Sequence, residues 1–161
     1  MSTIKVDKLQ GTSGSATGLT FSGANGTFGG TLAVSGVHTV GNNAIYTSDG
    51  GAVTQNLVQG LMKAWINFNG SGTIAIRDSF NITSITDNGT GDYDVTIAND
   101  MANANYATLF GGGEGGDANS GGRIPNLAIQ TTSVMDVYCM NLGNEAADGV
   151  VQNLGFLGDL A

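Results

Sequence analysis

The sequence has one proline, one cysteine and one histidine among its 161 residues. A single cysteine, Cys139, cannot form a disulfide within the chain, so no oxidising compartment is implied. Cys139 lies in the alternating apolar run 134–140, which predicts that its thiol is buried rather than reactive. His38 lies in a segment of low complexity, which is a poor support for a preorganised catalytic base. The sequence therefore gives little support for chemistry that depends on a cysteine or a histidine.

Charge is also scarce, with 5 basic and 13 acidic residues and a formal net charge of −8. Thr, Val, Ile, Ser and Asn are plentiful while Lys and Glu are few, which favours an all-β fold over exposed helices. With so few cations, the sequence predicts no basic surface for binding nucleic acid or an anionic membrane. No stretch reaches the roughly 20 apolar residues of a membrane span. Residues 1–10 lack a basic-then-apolar signal, so we expect synthesis in a cytoplasm.

Glycine is in excess, with 27 copies, but without the collagen period. Residues 1–53 combine Gly, Ser and Thr with short apolar groups, separated by turn signals. Strands this short cannot bury an apolar face within one chain. We therefore predict an extended N-terminal stalk in which three chains wrap around one another. The alternative is a disordered linker.

Residues 54–62 carry a helical pattern, because their apolar side chains fall on one side of a 3.6-residue wheel. A helix of two to three turns is marginal alone and needs burial against a partner. A three-fold bundle between stalk and head would supply it, and packing under the C-terminal sheet is an equal alternative. In the first case the trimer contacts are Leu57, Val58, Leu61 and Met62.

Residues 63–161 predict an antiparallel β-sandwich head. Tyr93, Val95 and Ile97 alternate with polar residues, so one face of their strand is dry. Residues 87–92 carry the Asn-Gly signal of a hairpin. Further strands are predicted at 64–68, 73–76, 80–86, 106–110, 129–141 and 150–157, a number typical of a sandwich. The aromatic residues expected in or beside the core are Trp65, Phe68, Phe80, Tyr93 and Tyr106.

A glycine-rich polar loop at residues 111–123 is the candidate binding site, since long loops on rigid scaffolds often bind ligands. The alternative is a mobile surface loop without function. Its GxGxxG pattern lacks the strand-to-helix context of a nucleotide site. The receptor-binding candidates are Glu114, Asp117, Asn119 and Arg123.

The other carboxylates do not favour catalysis or metal binding. A sugar-cleaving pair would have to come from Asp87, Asp92, Asp94, Glu114 and Asp117. Aspartates in hairpin turns, however, usually serve their own backbone hydrogen bonds. The cluster of oxygens in residues 87–92 lacks the spacing and the final Glu of an EF-hand calcium loop. We predict a protein without enzymatic activity, metal or cofactor.

Four features of residues 63–106 occur together: the Trp/Phe strand at 63–68, a Gly-rich turn, the Arg-Asp-Ser-Phe-Asn segment at 77–81 and the Gly-Asp-Tyr hairpin at 91–93. In this combination the segment resembles the C-terminal domains of phage tail fibres and related virion appendages, especially those of marine and cyanobacterial phages. Residues 41–54 are similar to the approach to such heads. Residues 108–161 match less closely.

The resemblance implies a homotrimeric virion structural protein of three parts: a virion-anchoring stalk (1–53), a helical connector (54–62) and a head (63–161). Its partners would be other virion proteins, held through the N-terminal segment, and a host-surface glycan or protein contacted by the head. It would be located in the virion, on the tail or the capsid surface. The alternatives are a capsid-decorating head fibre, a lectin-like glycan-binding module and a small glycan hydrolase.

Overall fold

A computed structural model of the chain describes residues 31, 33–41, 44–47, 54–115 and 122–161. These residues form strands and contain no helix, so the all-β prediction is confirmed. Among the described residues there is thus no helix that is long and apolar enough to cross a membrane. The chain divides into two compact units, Met1–Thr39 and Val40–Ala161. All the described strands belong to the second unit.

The strands run in chain order as β1 (Ile45–Thr47), β2 (Thr54–Asn56), β3 (Met62–Asn69), β4 (Ala75–Phe80), β5 (Ile82–Gly89), β6 (Asp92–Ile97), β7 (Ala107–Gly113), β8 (Arg123–Gln130), β9 (Val134–Asn141) and β10 (Val151–Leu157). Strands β1 and β2 form a small antiparallel pair. The other eight form two four-stranded antiparallel sheets: sheet I in the order β4-β3-β10-β7, and sheet II in the order β5-β6-β9-β8.

The two sheets pack face to face as a β-sandwich, and their inward residues form one hydrophobic core. Alternation along the strands decides which side chains enter it. Phe68 of sheet I meets Tyr93 of sheet II edge-on, with ring centroids 5.3 Å apart. The buried hydrophobic residues are Ala64, Ile66, Phe68, Tyr93, Val95, Ile97, Met101, Tyr106, Met135, Val137, Cys139, Leu154 and Phe156. The predicted burial of Cys139 is confirmed.

The aromatic prediction holds for three of its five residues. Phe68, Tyr93 and Tyr106 are buried, but Phe80 is exposed and Trp65 is half-buried. Trp65 and Phe80 are cross-strand partners on the outer face of sheet I. The physical reason is parity: Ala64, Ile66 and Phe68 occupy the inward positions of β3, so Trp65 has to point outward.

The predicted helix at 54–62 is wrong. Its first residues form β2, which pairs with β1, and Met62 already begins β3. One helical turn remains between them, where the Gly60 N–H donates to the Asn56 carbonyl oxygen at 3.3 Å. Strand pairing on both sides stabilises these residues more than a helix would, because so short a helix has little stability of its own.

Several further strand boundaries differ from the prediction. The strand expected at 73–76 is β4 (Ala75–Phe80) and the one expected at 80–86 is β5 (Ile82–Gly89), so Phe80 ends one strand instead of beginning the next. The strand expected at 129–141 is the end of β8 and the whole of β9, joined by a tight turn in which the Val134 N–H donates to Thr131 Oγ1 at 2.9 Å. The first residues of the expected 111–123 loop continue β7 as far as Gly113. The predicted stalk falls mostly outside the described residues, and the trimeric arrangement stays a prediction.

Candidate functional site

A buried polar centre at one end of the sandwich is organised by Asp148. Its Oδ1 accepts a hydrogen bond from the Gly91 N–H at 2.7 Å and lies 2.8 Å from the Tyr93 hydroxyl. Its backbone oxygen accepts a hydrogen bond from Arg123 Nε at 2.8 Å. Asp148 therefore ties the β5–β6 hairpin and the start of β8 to the segment before β10. This role is structural, because Oδ1 holds the hairpin and the backbone oxygen holds Arg123.

Tyr93 belongs to this centre and is held neutral. Its hydroxyl lies 2.7 Å from the Gly70 carbonyl oxygen and can donate its one proton there or to Asp148. Burial raises the pKa of Tyr93 far above its usual value, and the neighbouring Asp148 carboxylate raises it further. The phenol is therefore a fixed hydrogen-bond donor and not an acid or base near neutral pH.

Two of the four receptor-binding candidates lie at this end, at the base of the 111–123 segment. Arg123 Nη2 forms an ion pair with Glu114 Oε1, and both side chains are partly buried. The two charges neutralise each other, and Arg123 is held further by Asp148. Asp117 and Asn119 lie outside the described residues. The structure thus brings Glu114 and Arg123 together as an internal tie, and the receptor-binding role of the four stays a prediction.

Gln152 is a fully buried polar residue that the sequence analysis did not single out. Its Nε2 donates to Cys139 Sγ at 3.3 Å, and its Oε1 has no hydrogen-bond partner among the described residues. Burial raises the pKa of the Cys139 thiol. A buried, protonated thiol is a weak nucleophile, so this pair does not favour thiol chemistry.

The outer face of sheet II carries a strip of three carboxylates: Asp92 and Asp94 on β6, and Asp136 on β9. Asp94 and Asp136 are direct cross-strand partners. Asp136 Oδ1 is buried and has no hydrogen-bond partner in the described part of the chain. Burial raises the pKa of Asp136, and the charges of Asp92 and Asp94 raise it further. Its surroundings thus disfavour the charged form of this carboxylate.

Replacing Asp136 by asparagine is expected to raise the free energy of unfolding at pH 7 by about 0.2–1 kcal/mol, because it removes like charges from a cross-strand pair. The folded-state pKa of Asp136 is raised above its unfolded value. Its protonation therefore favours the folded state below the unfolded pKa, and this contribution is lost as pH rises through the folded pKa. Urea unfolding of both proteins at pH 7 and pH 4 measures the effect. The difference should shrink at pH 4; an equal difference at both pH values would contradict the assignment.

A shallow apolar groove of about 360 Å³ lies on sheet I, lined by residues of β3, β7 and β10. Its floor is Gly155, where a side chain would collide with Met62. Beside it, the Asn67 Nδ2 donates to the Asn153 Oδ1 at 2.5 Å. Trp65 with these two amides is an arrangement that can stack a sugar ring and hydrogen-bond its hydroxyls.

The predicted trimer contacts lie at the entry to β3. Leu57, Leu61 and Met62 are exposed, while Val58 is partly buried. The buried Lys63 ammonium group donates to the backbone oxygens of Val58 and Leu61, and so holds the turn in place. Most of these four apolar side chains thus remain exposed in the described chain. Their role as trimer contacts stays a prediction.

Within the described residues there is no group of three or more His, Cys, Asp or Glu side chains suited to hold a metal ion. No protein-family model, no curated protein and no solved structure matches this chain.

Proposed function

We propose that this chain is a structural subunit of a virus particle, a homotrimeric tail fibre of a phage that is attached by its N-terminal segment and directs its head outward. The observation that carries the proposal is the apolar surface left open by the described sandwich. Leu61, Leu109, Ile129 and Leu142 are each more than half exposed. Large exposed apolar side chains in such number are typical of a chain that is completed by a partner.

The electrostatics support an outward-facing head. Residues 56–161 hold eleven of the thirteen acidic residues and only three of the five basic ones. Burying the strip of Asp92, Asp94 and Asp136 against a particle would cost desolvation that so few cations cannot offset. In solvent these charges are screened and keep neighbouring particles apart.

The chemistry of the carboxylates supports a non-enzymatic role. A hydrolase acting on sugars needs one free carboxylic acid and one free carboxylate across a cleft. Glu114 is paired with Arg123, and the Asp148 carboxylate lies within hydrogen-bond distance of the Gly91 N–H and the Tyr93 hydroxyl. The strip on sheet II lies on an open face and not in a cleft, since its members are cross-strand neighbours on β6 and β9.

Two deletions test the proposal in cells that produce the virus. Removing residues 2–20 is expected to abolish incorporation of the chain into purified particles, because the anchor is lost. Removing residues 116–121 is expected to leave incorporation intact and to change host adsorption at most. The isolated bridge between Gly113 and Gly122 means that Glu114 and Gly115 would remain as a two-residue connection, a length that suits a tight hairpin.

Immunoblots of purified particles measure the result. Incorporation without residues 2–20, or its loss in the loop deletion while the protein still folds, would contradict the proposed orientation. A capsid-decorating fibre gives the same deletion results and differs only in where labelled chains are seen on intact particles.

A lectin-like glycan-binding module is the second candidate, favoured by the groove beside Trp65, Asn67 and Asn153. Aromatic platforms flanked by side-chain amides suit the apolar face and the hydroxyl edge of a sugar. Binding of the purified wild-type chain to a glycan array, together with its absence from particles, would favour this second function over the first.

A further inference from the structure

The two long edges of the sandwich differ in chemistry. At one edge β4 packs over β5, and at the other β7 packs over β8. We call the second one the β7–β8 edge, formed by Ala107–Gly113 and Arg123–Gln130. Within the described residues, β7 pairs along its length only with β10, and β8 only with β9. Each strand therefore leaves a row of backbone hydrogen-bonding groups at the sheet border.

The β7–β8 edge is apolar on both of its flanks. Leu109 is the cross-strand partner of Gly155 and lies on the outer face of sheet I. On sheet II, Ile124 pairs with Met140 and Ile129 pairs with Asp136, which places both on the outer face. The edge is thus a wedge with an apolar flank on each side. Its exposed large hydrophobic residues are Leu109, Phe110, Ile124, Leu127 and Ile129.

Charge separates this edge from the opposite one. Strand β7 contains no charged residue, and the only one in β8, Arg123, is paired with Glu114. The β4 and β5 strands instead carry Arg77, Asp78 and Asp87. In a chain of net charge −8, strands that add no unpaired charge can approach their own copy with little repulsion. Asp136, the cross-strand partner of Ile129, is the charge beside the sheet II flank, and such a contact has to leave it at the solvent-exposed margin. Protein edges that have to stay free usually carry charged side chains, and this edge does not.

We propose that the β7–β8 edge is the surface through which three copies of this chain join around a three-fold axis. The Leu109 flank of one copy packs against the Ile124 and Ile129 flank of the next. Such a contact between two different patches is heterologous. It forms a closed ring when the rotations that relate neighbouring copies add up to a full turn. The inference rests on the proposed homotrimeric function. It deepens that function by assigning the contact to this edge, with Met62 of the connector continuing the Leu109 flank along the groove.

Lysine substitutions at matched positions test this assignment. Leu109→Lys and Ile129→Lys each place a charge on one flank of the edge. Phe80→Lys is the control, because Phe80 is 56% exposed and Leu109 is 54% exposed, and they lie on the outer strands of the same sheet. Mass photometry and equilibrium sedimentation of the full-length chains report the oligomeric state. Far-UV circular dichroism confirms that each variant is folded.

The wild type and Phe80→Lys are expected to be trimers, and both edge variants are expected to be monomers at the same concentration. Should a lysine variant fail to fold, Leu109→Thr keeps β propensity and is expected to raise the concentration at which the trimer dissociates about tenfold or more. Folded edge variants that remain trimeric would overturn the assignment while leaving the trimer intact. The assignment is also overturned if only one of the two edge variants dissociates, or if Phe80→Lys is the only variant that dissociates. A wild type that stays monomeric would instead overturn the homotrimer itself.

Discussion

Replacing Phe68 by alanine is expected to lower the free energy of unfolding by about 3–5 kcal/mol. Phe68 is completely buried, and its ring packs edge-on against Tyr93 of the other sheet. The substitution removes this contact and leaves a cavity between sheets I and II. The flanking strands cannot close it, because their hydrogen-bonded registers hold them in place.

The control is Phe80→Ala, which removes the same side chain from the neighbouring strand of the same sheet. Phe80 lies on the outer face and is mostly exposed, so its loss is expected to cost less than about 1 kcal/mol in a single chain. Urea unfolding of both variants at one protein concentration compares them, because association shifts apparent stability. Equal losses would show that the inward face of β3 is wrongly assigned.

Replacing Gly91 by alanine is expected to destabilise the protein by about 2–6 kcal/mol, from backbone strain and overpacking together. Gly91 has φ +72°, a conformation that residues with a side chain rarely adopt. A Cβ there would overlap the backbone oxygen of Cys139 and lie 2.9 Å from the Ala147 nitrogen. Both neighbours are backbone atoms in paired segments, so the strain cannot be relieved by rotating a side chain.

Gly72→Ala separates these two contributions. Gly72 has a similar φ of +67°, but nothing lies within 4 Å of the position that its Cβ would take. Its substitution is expected to cost only the backbone part, about 1–2 kcal/mol. Thermal unfolding of the two variants gives the comparison. A Gly91 variant no less stable than the Gly72 variant would show that the hairpin end does not pack against β9 as described.

Local patterns in the sequence predicted much of the fold. The alternation of Tyr93, Val95 and Ile97 placed β6 and its dry face correctly. The hairpin lies within the predicted residues 87–92, but its turn is 90–91, and the Asn-Gly pair ends β5. The failures have local causes as well. Aromatic character suggested that Trp65 and Phe80 face the core. The period of two along β3 instead gives the inward positions to Ala64, Ile66 and Phe68. Phe80 is the cross-strand partner of Trp65 and lies with it on the outer face.

The site was less predictable, because its members come together through strands distant in the sequence. Asp94 meets Asp136 only because β6 pairs with β9, and Asp148 reaches Gly91 and Tyr93 across the end of the sandwich. No spacing in the sequence signals these contacts. Leu109 and Ile129 likewise share an edge only because the chain passes from sheet I to sheet II between β7 and β8.

The pairing of β3 with β10 has a consequence for synthesis. The first strand of the sandwich, β3, pairs with its last strand, β10, at the centre of sheet I. Sheet I therefore stays incomplete until Leu157 has left the ribosome. Until then β7 has no paired neighbour in its sheet, and the core lacks Leu154 and Phe156 of β10. Pairing between such distant segments is slow, and partly made chains with open edges are prone to aggregate. Translation that stalls before Val151 therefore yields an unfinished sandwich, and the fold can close only after β10 has been synthesised.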